Sequence, residues 1–158
     1  MKKKIFFAVM IFLCTFIGKG VQAEQTGFII EVWDKKGEHK IIQLPINLQE
    51  VFYLKTIHSL ALTPYTHIYK FDEEGNILLS AAIFESGGGG YPVTGDGVLS
   101  IENGKFRVDH INRFVGKLLF RVSPVSRETL SISGVEIPLY SQVSEGTLIE
   151  VKISKGKE

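Results

Sequence analysis

The sequence predicts an all-β domain, either an antiparallel sandwich or a partly open barrel, with about nine to eleven short strands. Apolar and polar residues alternate with a period of two over many short segments, and β-branched and aromatic residues are frequent in them. Gly, Asn, Asp and Pro separate these segments. No stretch carries a sustained helical stripe, although residues 49–54 and 111–115 could each form one turn of helix.

The predicted strands follow one another through short turns. Residues 34–37 read as a hairpin turn, and residues 72–76 reverse the chain before the fifth strand. Asn103-Gly104 suits a type I′ turn, Ser133-Gly134 forms another tight turn, and residues 86–97 form a long glycine-rich loop. In chain order the predicted strands are 28–33, 39–44, 51–58, 68–71, 77–84, 98–101, 105–108, 118–122, 129–132, 135–139 and 147–153.

The N-terminus has the pattern of an export signal. Three lysines at 2–4 precede an apolar run at 5–17, and Val21-Gln22-Ala23 supplies the small residues that a signal peptidase reads. We therefore predict a signal peptide at 1–23 and a single β domain at 24–158, located outside the cytoplasm in the periplasm, the cell envelope or the medium. The apolar run is shorter than the ~20 residues of a spanning helix, so we expect no membrane span after cleavage. A retained N-terminal anchor is the alternative.

Cleavage changes the composition of the chain. Cys14 is the only cysteine and leaves with the signal, so the mature chain has no disulfide, thiolate metal ligand or cysteine nucleophile. Four lysines also leave, which lowers Lys plus Arg from 18 to 14 while Asp plus Glu stays at 17, and the net charge becomes −3. This charge argues against a nucleic-acid partner.

His58 and Ser59 stand at the end of an apolar strand, where small domains often place binding groups. They cannot act together as base and nucleophile on a regular strand, because neighbouring side chains point to opposite faces. A Gly-x-Ser-x-Gly elbow is also missing from the sequence. We predict no catalytic residue and treat His58 and Ser59 as candidate ligand-binding residues.

A metal site is the sharper alternative for His58. If residues 60–63 form the connecting loop, His58 opposes Tyr65 and becomes a diagonal neighbour of His67, with Cβ atoms ~7 Å apart. Two histidines do not complete a zinc site, which takes three or four protein ligands. The aromatic neighbours favour a core face with His58 hydrogen-bonded at its rim, so we predict no metal and no cofactor.

The glycine-rich loop is the second candidate site. It lacks the Gly-Lys-Ser/Thr ending and the following helix of a phosphate-binding loop. Its backbone could still approach a ligand closely, adopt positive φ or form an anion-binding nest. The candidate ligand-binding residues here are Gly87, Gly88, Gly89, Gly90, Tyr91 and Pro92.

Two other features have simpler interpretations. Asp72, Glu73 and Glu74 crowd one turn, where solvated acids are expected. Trp33, the only tryptophan, lies in an alternating strand, and we expect it to pack in the core.

The same motifs resemble a bacterial family of exported proteins, domain of unknown function 1850. The resemblance rests on Phe52-Tyr53-x-x-x-Ile57-His58-Ser59, on Pro64, on the glycine segment ending at Tyr91-Pro92, and on two late pieces. These late pieces are Leu130-x-Ile132-x-Gly134 and Gly146-x-x-Ile149, so the similarity runs over about 50–153. The chain departs from the family in having Thr66 and His67 where an acid is usual, and Gly88-Gly89-Gly90 where an alanine is favoured.

The resemblance implies an accessory role in solute uptake. Members look like exported partners of tripartite (TRAP) transporters, which combine a fused permease with a separate solute-binding protein. We therefore expect a non-enzymatic extracytoplasmic protein that contacts the permease, its solute-binding protein or a small anionic solute. The alternatives are a metal-dependent hydrolase using His58, His67 and an acid, and a purely structural cell-envelope module.

Overall fold

The computed structural model describes residues 27–36, 38–85 and 97–156. This part of the chain contains twelve strands and one short 3₁₀ turn at Leu139–Ser141. The predicted signal peptide and the glycine segment at 87–92 lie outside the described residues. The strands are β1 (Phe28–Asp34), β2 (His39–Ile46), β3 (Val51–Ile57), β4 (Pro64–Phe71), β5 (Ile77–Phe84), β6 (Val98–Glu102), β7 (Lys105–Asp109), β8 (Arg113–Gly116), β9 (Leu118–Arg121), β10 (Thr129–Ile132), β11 (Val135–Pro138) and β12 (Leu148–Lys155).

The described strands form two antiparallel sheets. The small sheet has the order β2-β1-β12-β9, and the large sheet has the order β11-β10-β3-β4-β5-β7-β6 with β8 also paired to β5. The sheets are not closed into a barrel, which leaves the sandwich of the two predicted architectures. The predicted all-β class is confirmed, and the described residues alone form one strand more than the upper end of the predicted range.

The additional strand is β8, and the turn of helix considered for this region is wrong. The first half of β5 pairs with β8 and the second half pairs with β7, so the two short strands follow one path along β5. His110 (φ 60°) and Asn112 (φ 47°) interrupt this path in left-handed conformations. Between them Ile111 is buried and donates its N–H to the carbonyl of Ser80 (3.1 Å). The helical turn considered at residues 49–54 is also wrong, because β3 occupies most of that segment.

The core lies between the two sheets and follows the period-two pattern of their strands. Ile30 and Val32 of β1 are fully buried, as are Ile149 and Val151 of β12. From the large sheet Phe52, Leu130, Ile132 and Ile137 are buried to within 2 % of completely. Burying such a side chain stabilises a fold by about 1.5–3 kcal/mol, so this face fixes which residues of each strand point inwards.

In the turn at 72–76, Glu73 and Glu74 are exposed, as expected of solvated acids, and Asp72 is half-buried. Asp72 accepts hydrogen bonds from the backbone N–H groups of Glu74 (3.0 Å) and Asn76 (2.8 Å) and from the side chain of Asn76 (2.9 Å). The side-chain hydrogen bond from Asn76, followed by the backbone bonds, lowers the pKa of Asp72. The carboxylate therefore shapes a turn between β4 and β5.

Within residues 27–36, 38–85 and 97–156, no helix is both long enough and apolar enough to cross a lipid bilayer.

Candidate functional site

His58 closes the loop between β3 and β4. β3 ends at Ile57, one residue before the predicted end, so His58 is the first residue of the loop. Its N–H donates to the carbonyl of Thr63 (2.9 Å), and its own carbonyl accepts from the N–H of Leu62 (2.7 Å). The imidazole Nδ1 accepts from the N–H of Ala61 (3.1 Å). His58 is half-buried and shapes the loop, whereas Ser59 beside it is exposed.

The predicted pairing of β3 with β4 is wrong by two residues. Ile57 opposes Pro64 and Thr56 opposes Tyr65, where the prediction placed Ser59 and His58. A shift of two keeps every side chain on its predicted face, because the side-chain period of a strand is two. It removes His58 from the sheet, however, and the loop runs over residues 58–63 instead of 60–63. The diagonal contact between His58 and His67 is therefore lost.

The described residues contain no set of side chains that would support the metal interpretation of His58. Within 27–36, 38–85 and 97–156, no group of three or more His, Cys, Asp or Glu side chains is arranged to hold a metal ion. The core interpretation of this face is confirmed, because Phe52, Leu54, Tyr65, Tyr69 and Phe71 all belong to the buried cluster. His58 is hydrogen-bonded at its rim.

His67 lies inside that core face. Its opposite neighbours are Leu54 on β3 and Ala82 on β5, both buried. Its ring meets Tyr65 edge-on at 4.5 Å between centroids and stacks on Tyr69 at 5.9 Å. Nδ1 is buried and has no hydrogen-bond partner among the described residues.

The electrostatics of His67 follow from this surrounding. Burial lowers the pKa of His67 from 6.5 to about 4, and the charge of Arg113 lowers it in the same direction. His67 is therefore neutral at pH 7, which suits a core position.

Apolar side chains on two adjoining loops form the feature that sequence reasoning missed. Leu60 and Leu62 in the 58–63 loop are 86 % and 68 % exposed, and Val125 in the 123–127 loop is also exposed. The N–H of Ile57 donates to the carbonyl of Ser126 (2.6 Å), which brings the second loop to the end of β3. We name Leu60, Leu62 and Val125 the apolar tip. Its signal in the sequence is a pair of leucines inside a segment predicted as a loop.

Both loops of the apolar tip are held by hydrogen bonds. His58 bonds across the first loop, and Leu62 adopts a left-handed conformation there with φ 53°. In the second loop Ser123 accepts from the N–H of Arg127 (2.9 Å) and donates its own N–H to the carboxylate of Glu128 (2.8 Å). The apolar side chains are thus presented on ordered backbone, which lowers the entropy lost when a partner covers them.

The predicted glycine site lies mostly outside the described residues. Gly87, Gly88, Gly89, Gly90, Tyr91 and Pro92 are all among the residues that are not described. Gly97, the last residue of that predicted loop, is described. A Cβ at Gly97 would lie 2.4 Å from the carbonyl oxygen of Asp109 and 2.8 Å from Val108. The backbone of Gly97 therefore packs directly against the end of β7, whereas ligand binding by Gly87 to Pro92 stays a prediction.

The expectation that Trp33 packs in the core is wrong. It alternates with the buried Ile30 and Val32 and so lies on the outer face of the small sheet, as Glu31 does. Its indole Nε1 donates to Glu31 Oε2 (3.0 Å), and Lys40 and Lys152 place their ammonium groups 5.2 and 4.9 Å from the ring centroid. The alternation of residues along β1 already predicts that Trp33 points outwards. The expectation of a core position came from its apolar residue type alone.

The fold defines the chain as an antiparallel two-sheet β-sandwich protein. A family model described as Domain of unknown function (DUF1850) matches residues 52–139, which is more than half of the chain. The chain belongs to this family, and the resemblance noted from its motifs is confirmed. Apart from Val51, the first residue of β3, the matched segment contains every described strand of the large sheet together with β9.

The two other comparisons gave no match. Neither the search of curated proteins nor the search of solved structures found a protein similar to this chain.

Proposed function

We propose that this protein is a non-enzymatic extracytoplasmic accessory protein of a TRAP-type solute transporter, and that it contacts the membrane permease through its apolar tip. The extracytoplasmic location is supported by the export-signal pattern at 1–23, and the transporter role by the resemblance to the family. The observation that carries the contact is the exposure of Leu60 and Leu62 on a hydrogen-bonded loop.

The energetics favour a protein partner for the apolar tip. Covering one exposed leucine contributes about 1.5–3 kcal/mol, and both leucines project from a single loop of six residues. Apolar anchors that fill pockets on a partner are typical of the few residues that dominate binding energy. Two leucines on ordered backbone fit a matching apolar pocket on the permease.

The predicted site residues take different parts in this proposal. His58 sets the shape of the loop through its Nδ1, and exposed Ser59 lies on the rim next to Leu60. Gly87 to Pro92 remains a predicted second contact. The solute-binding protein and a small anionic solute are the other partners that the family resemblance suggests.

The test compares two double variants of the full-length protein. Leu60→Ser with Leu62→Ser removes the leucines of the apolar tip, and Val98→Ser with Ile101→Ser removes two comparably exposed side chains from β6. Recovery of the permease by cross-linking, together with solute uptake by cells, is measured for each. We expect at least a tenfold loss of the cross-linked complex for the tip variant and none for the β6 variant.

Thermal melting of both variants keeps the comparison interpretable. Because all four side chains are exposed, we expect melting temperatures close to that of the wild type. Wild-type uptake and complex formation from a folded tip variant would contradict the proposal.

A further inference from the structure

The outer face of the small sheet carries a cluster of charged side chains around Trp33. The strand register places Lys40, Trp33, Glu150 and Leu119 in one row across the sheet. The neighbouring row contains Gln43, Glu31 and Lys152. Alternation sends all of these side chains away from the core, because Ile30, Val32, Ile149 and Val151 occupy the inward positions.

The two glutamates on this face lie beneath the lysines. The side chains of Glu150 and Glu31 are only 7 % and 11 % exposed. Glu150 is paired with Lys35 (3.3 Å) and Lys117 (3.7 Å). Glu31 is paired with Lys40 (2.5 Å) and Lys152 (3.7 Å). A partner approaching the face therefore meets ammonium groups before it meets carboxylates.

Positive charge exceeds negative charge on this face. We name as the cationic face Lys35, Lys40, Lys117, Arg121 and Lys152. These five cations stand against three carboxylates, those of Glu31, Glu150 and Asp34 at the end of β1, and the adjoining turn adds one charge of each sign through Lys36 and Glu38. Apolar surface accompanies the charge, because Leu119 is exposed and the indole of Trp33 is half-buried.

The cations form a surface and not a pocket for a single anion. The depression beside Trp33 has a volume of about 270 Å³. Three acids line it, Asp34, Glu38 and Glu150, against the two cations Lys35 and Lys152. A small anion inside it would be repelled, whereas an extended anionic surface would meet the outward ammonium groups.

We propose that the cationic face docks on the anionic phospholipid surface of the membrane. A bilayer offers phosphate groups to the lysines and an interfacial layer suited to Trp33 and Leu119. The apolar tip lies towards the same end of the molecule, since β9 ends at Arg121 and leads directly into the 123–127 loop. The inference rests on the proposed function to the extent that a permease contact at the tip would hold this face near the lipid.

Vesicle co-sedimentation of the full-length protein without permease tests the face by itself. We expect binding to vesicles of phosphatidylglycerol and phosphatidylcholine, little binding to phosphatidylcholine alone, and weaker binding as salt is raised. Lys117→Gln should weaken binding about fivefold, and adding Arg121→Gln should weaken it about fivefold again. Lys55→Gln with Lys105→Gln is the matched control, because these lysines are exposed, paired with glutamates and located on the large sheet.

Three results would overturn the membrane assignment. The first is equal binding to both kinds of vesicle, or binding to neither. The second is a loss of vesicle binding by the control variant as large as that of the variant of Lys117 and Arg121. The third is competition by millimolar glycerol 3-phosphate, which would indicate a single-anion pocket. The tip variant Leu60→Ser with Leu62→Ser should keep its vesicle binding. The variant of Lys117 and Arg121 should keep its cross-link to the permease in detergent, so failure of one proposal is distinguishable from failure of the other.

Discussion

His67 and Glu150 are titratable side chains on the two sheets of one sandwich, and both are withdrawn from water. His67 faces the core between Leu54 and Ala82, and its Nδ1 has no hydrogen-bond partner in the part of the chain that the structure describes. Glu150 faces away from the core and is covered by the ammonium groups of Lys35 and Lys117.

The difference shows two ways of avoiding an unpaired buried charge. The histidine gives up its charge, because burial lowers its pKa to about 4. The glutamate keeps two cations beside it, and Glu31 does the same with Lys40 and Lys152. A neutral side chain such as that of His67 suits an apolar core. A charged side chain with a cationic partner suits the outer face, where the partner's ammonium group still reaches solvent.

The largest effect is expected from a permanent charge at the His67 position. His67→Lys would place an ammonium group between apolar neighbours, and we expect the free energy of unfolding to fall by about 3–5 kcal/mol. Urea unfolding at pH 7 measures the loss. His67→Leu is the control, and it should cost much less because the position is surrounded by apolar side chains. Equal losses in the two variants would contradict a charge-based explanation.

Acidification should weaken the wild type through the same residue. The pKa of His67 is about 4 in the folded protein and near 6.5 when unfolded, so only the unfolded state gains a proton between these values. The contribution of neutral His67 to the free energy of unfolding is therefore fully present above pH 6.5. It is lost as the pH falls towards 4, by up to roughly 3 kcal/mol. Unfolding free energies measured across this range should fall less steeply for His67→Leu. Parallel curves for the two proteins would sink this prediction.

A smaller effect is expected on the outer face of the small sheet. Lys40→Met removes the hydrogen bond to Glu31 and should cost about 1 kcal/mol at pH 7, because Lys152 remains nearby. Lys36→Met in the adjoining exposed turn is the control and should cost almost nothing.

The pH window of the Lys40 contact differs from that of His67. Burial raises the pKa of Glu31, but hydrogen bonds from Lys40 and Trp33 outweigh it, and the net pKa lies below 4.5. The contribution of Lys40 is thus present above pH 4.5 and fades as the pH falls below it. A cost of Lys40→Met that grows on acidification would contradict this pairing.

The smallest effect is expected at the apolar tip, where no titratable group is withdrawn from water. Leu60→Ser should change the free energy of unfolding by less than about 0.5 kcal/mol, because the side chain is almost fully exposed. Leu54→Ser provides the contrast, since it adds a hydroxyl to the core beside His67. A loss above 1 kcal/mol for Leu60→Ser would show that the leucine packs on the protein itself.

The period of the strands was predictable from the sequence, and the loop lengths were not. Alternation in β3 and β4 placed Phe52, Leu54, Tyr65 and His67 on one inward face, as the structure does. The predicted pairing of β3 with β4 is shifted by two residues from the observed one. The 58–63 loop contains no glycine or asparagine that would mark its start, and the side chain of His58 closes it instead. Periodicity reports the face of a side chain but not where a strand ends.

The sequence pointed to the 58–63 loop but not to the side chains that are exposed on it. His58 and Ser59 do mark the loop of the apolar tip, but the exposed groups are Leu60 and Leu62. The second loop joins them through Ile57 and Ser126, which are far apart in sequence. Contacts of this kind depend on the tertiary fold, as does the split of one path along β5 into two strands.

The pairing of β1 with β12 has a consequence for how the chain reaches this fold. Phe28 opposes Lys155, so the first and last described strands are neighbours, and β12 also pairs with β9. In a chain made from its N-terminus, the edge of β1 that does not pair with β2 has no strand partner until β12 is available. Folding should thus be slow, and removal of β12 would leave β1 and β9 without their shared neighbour.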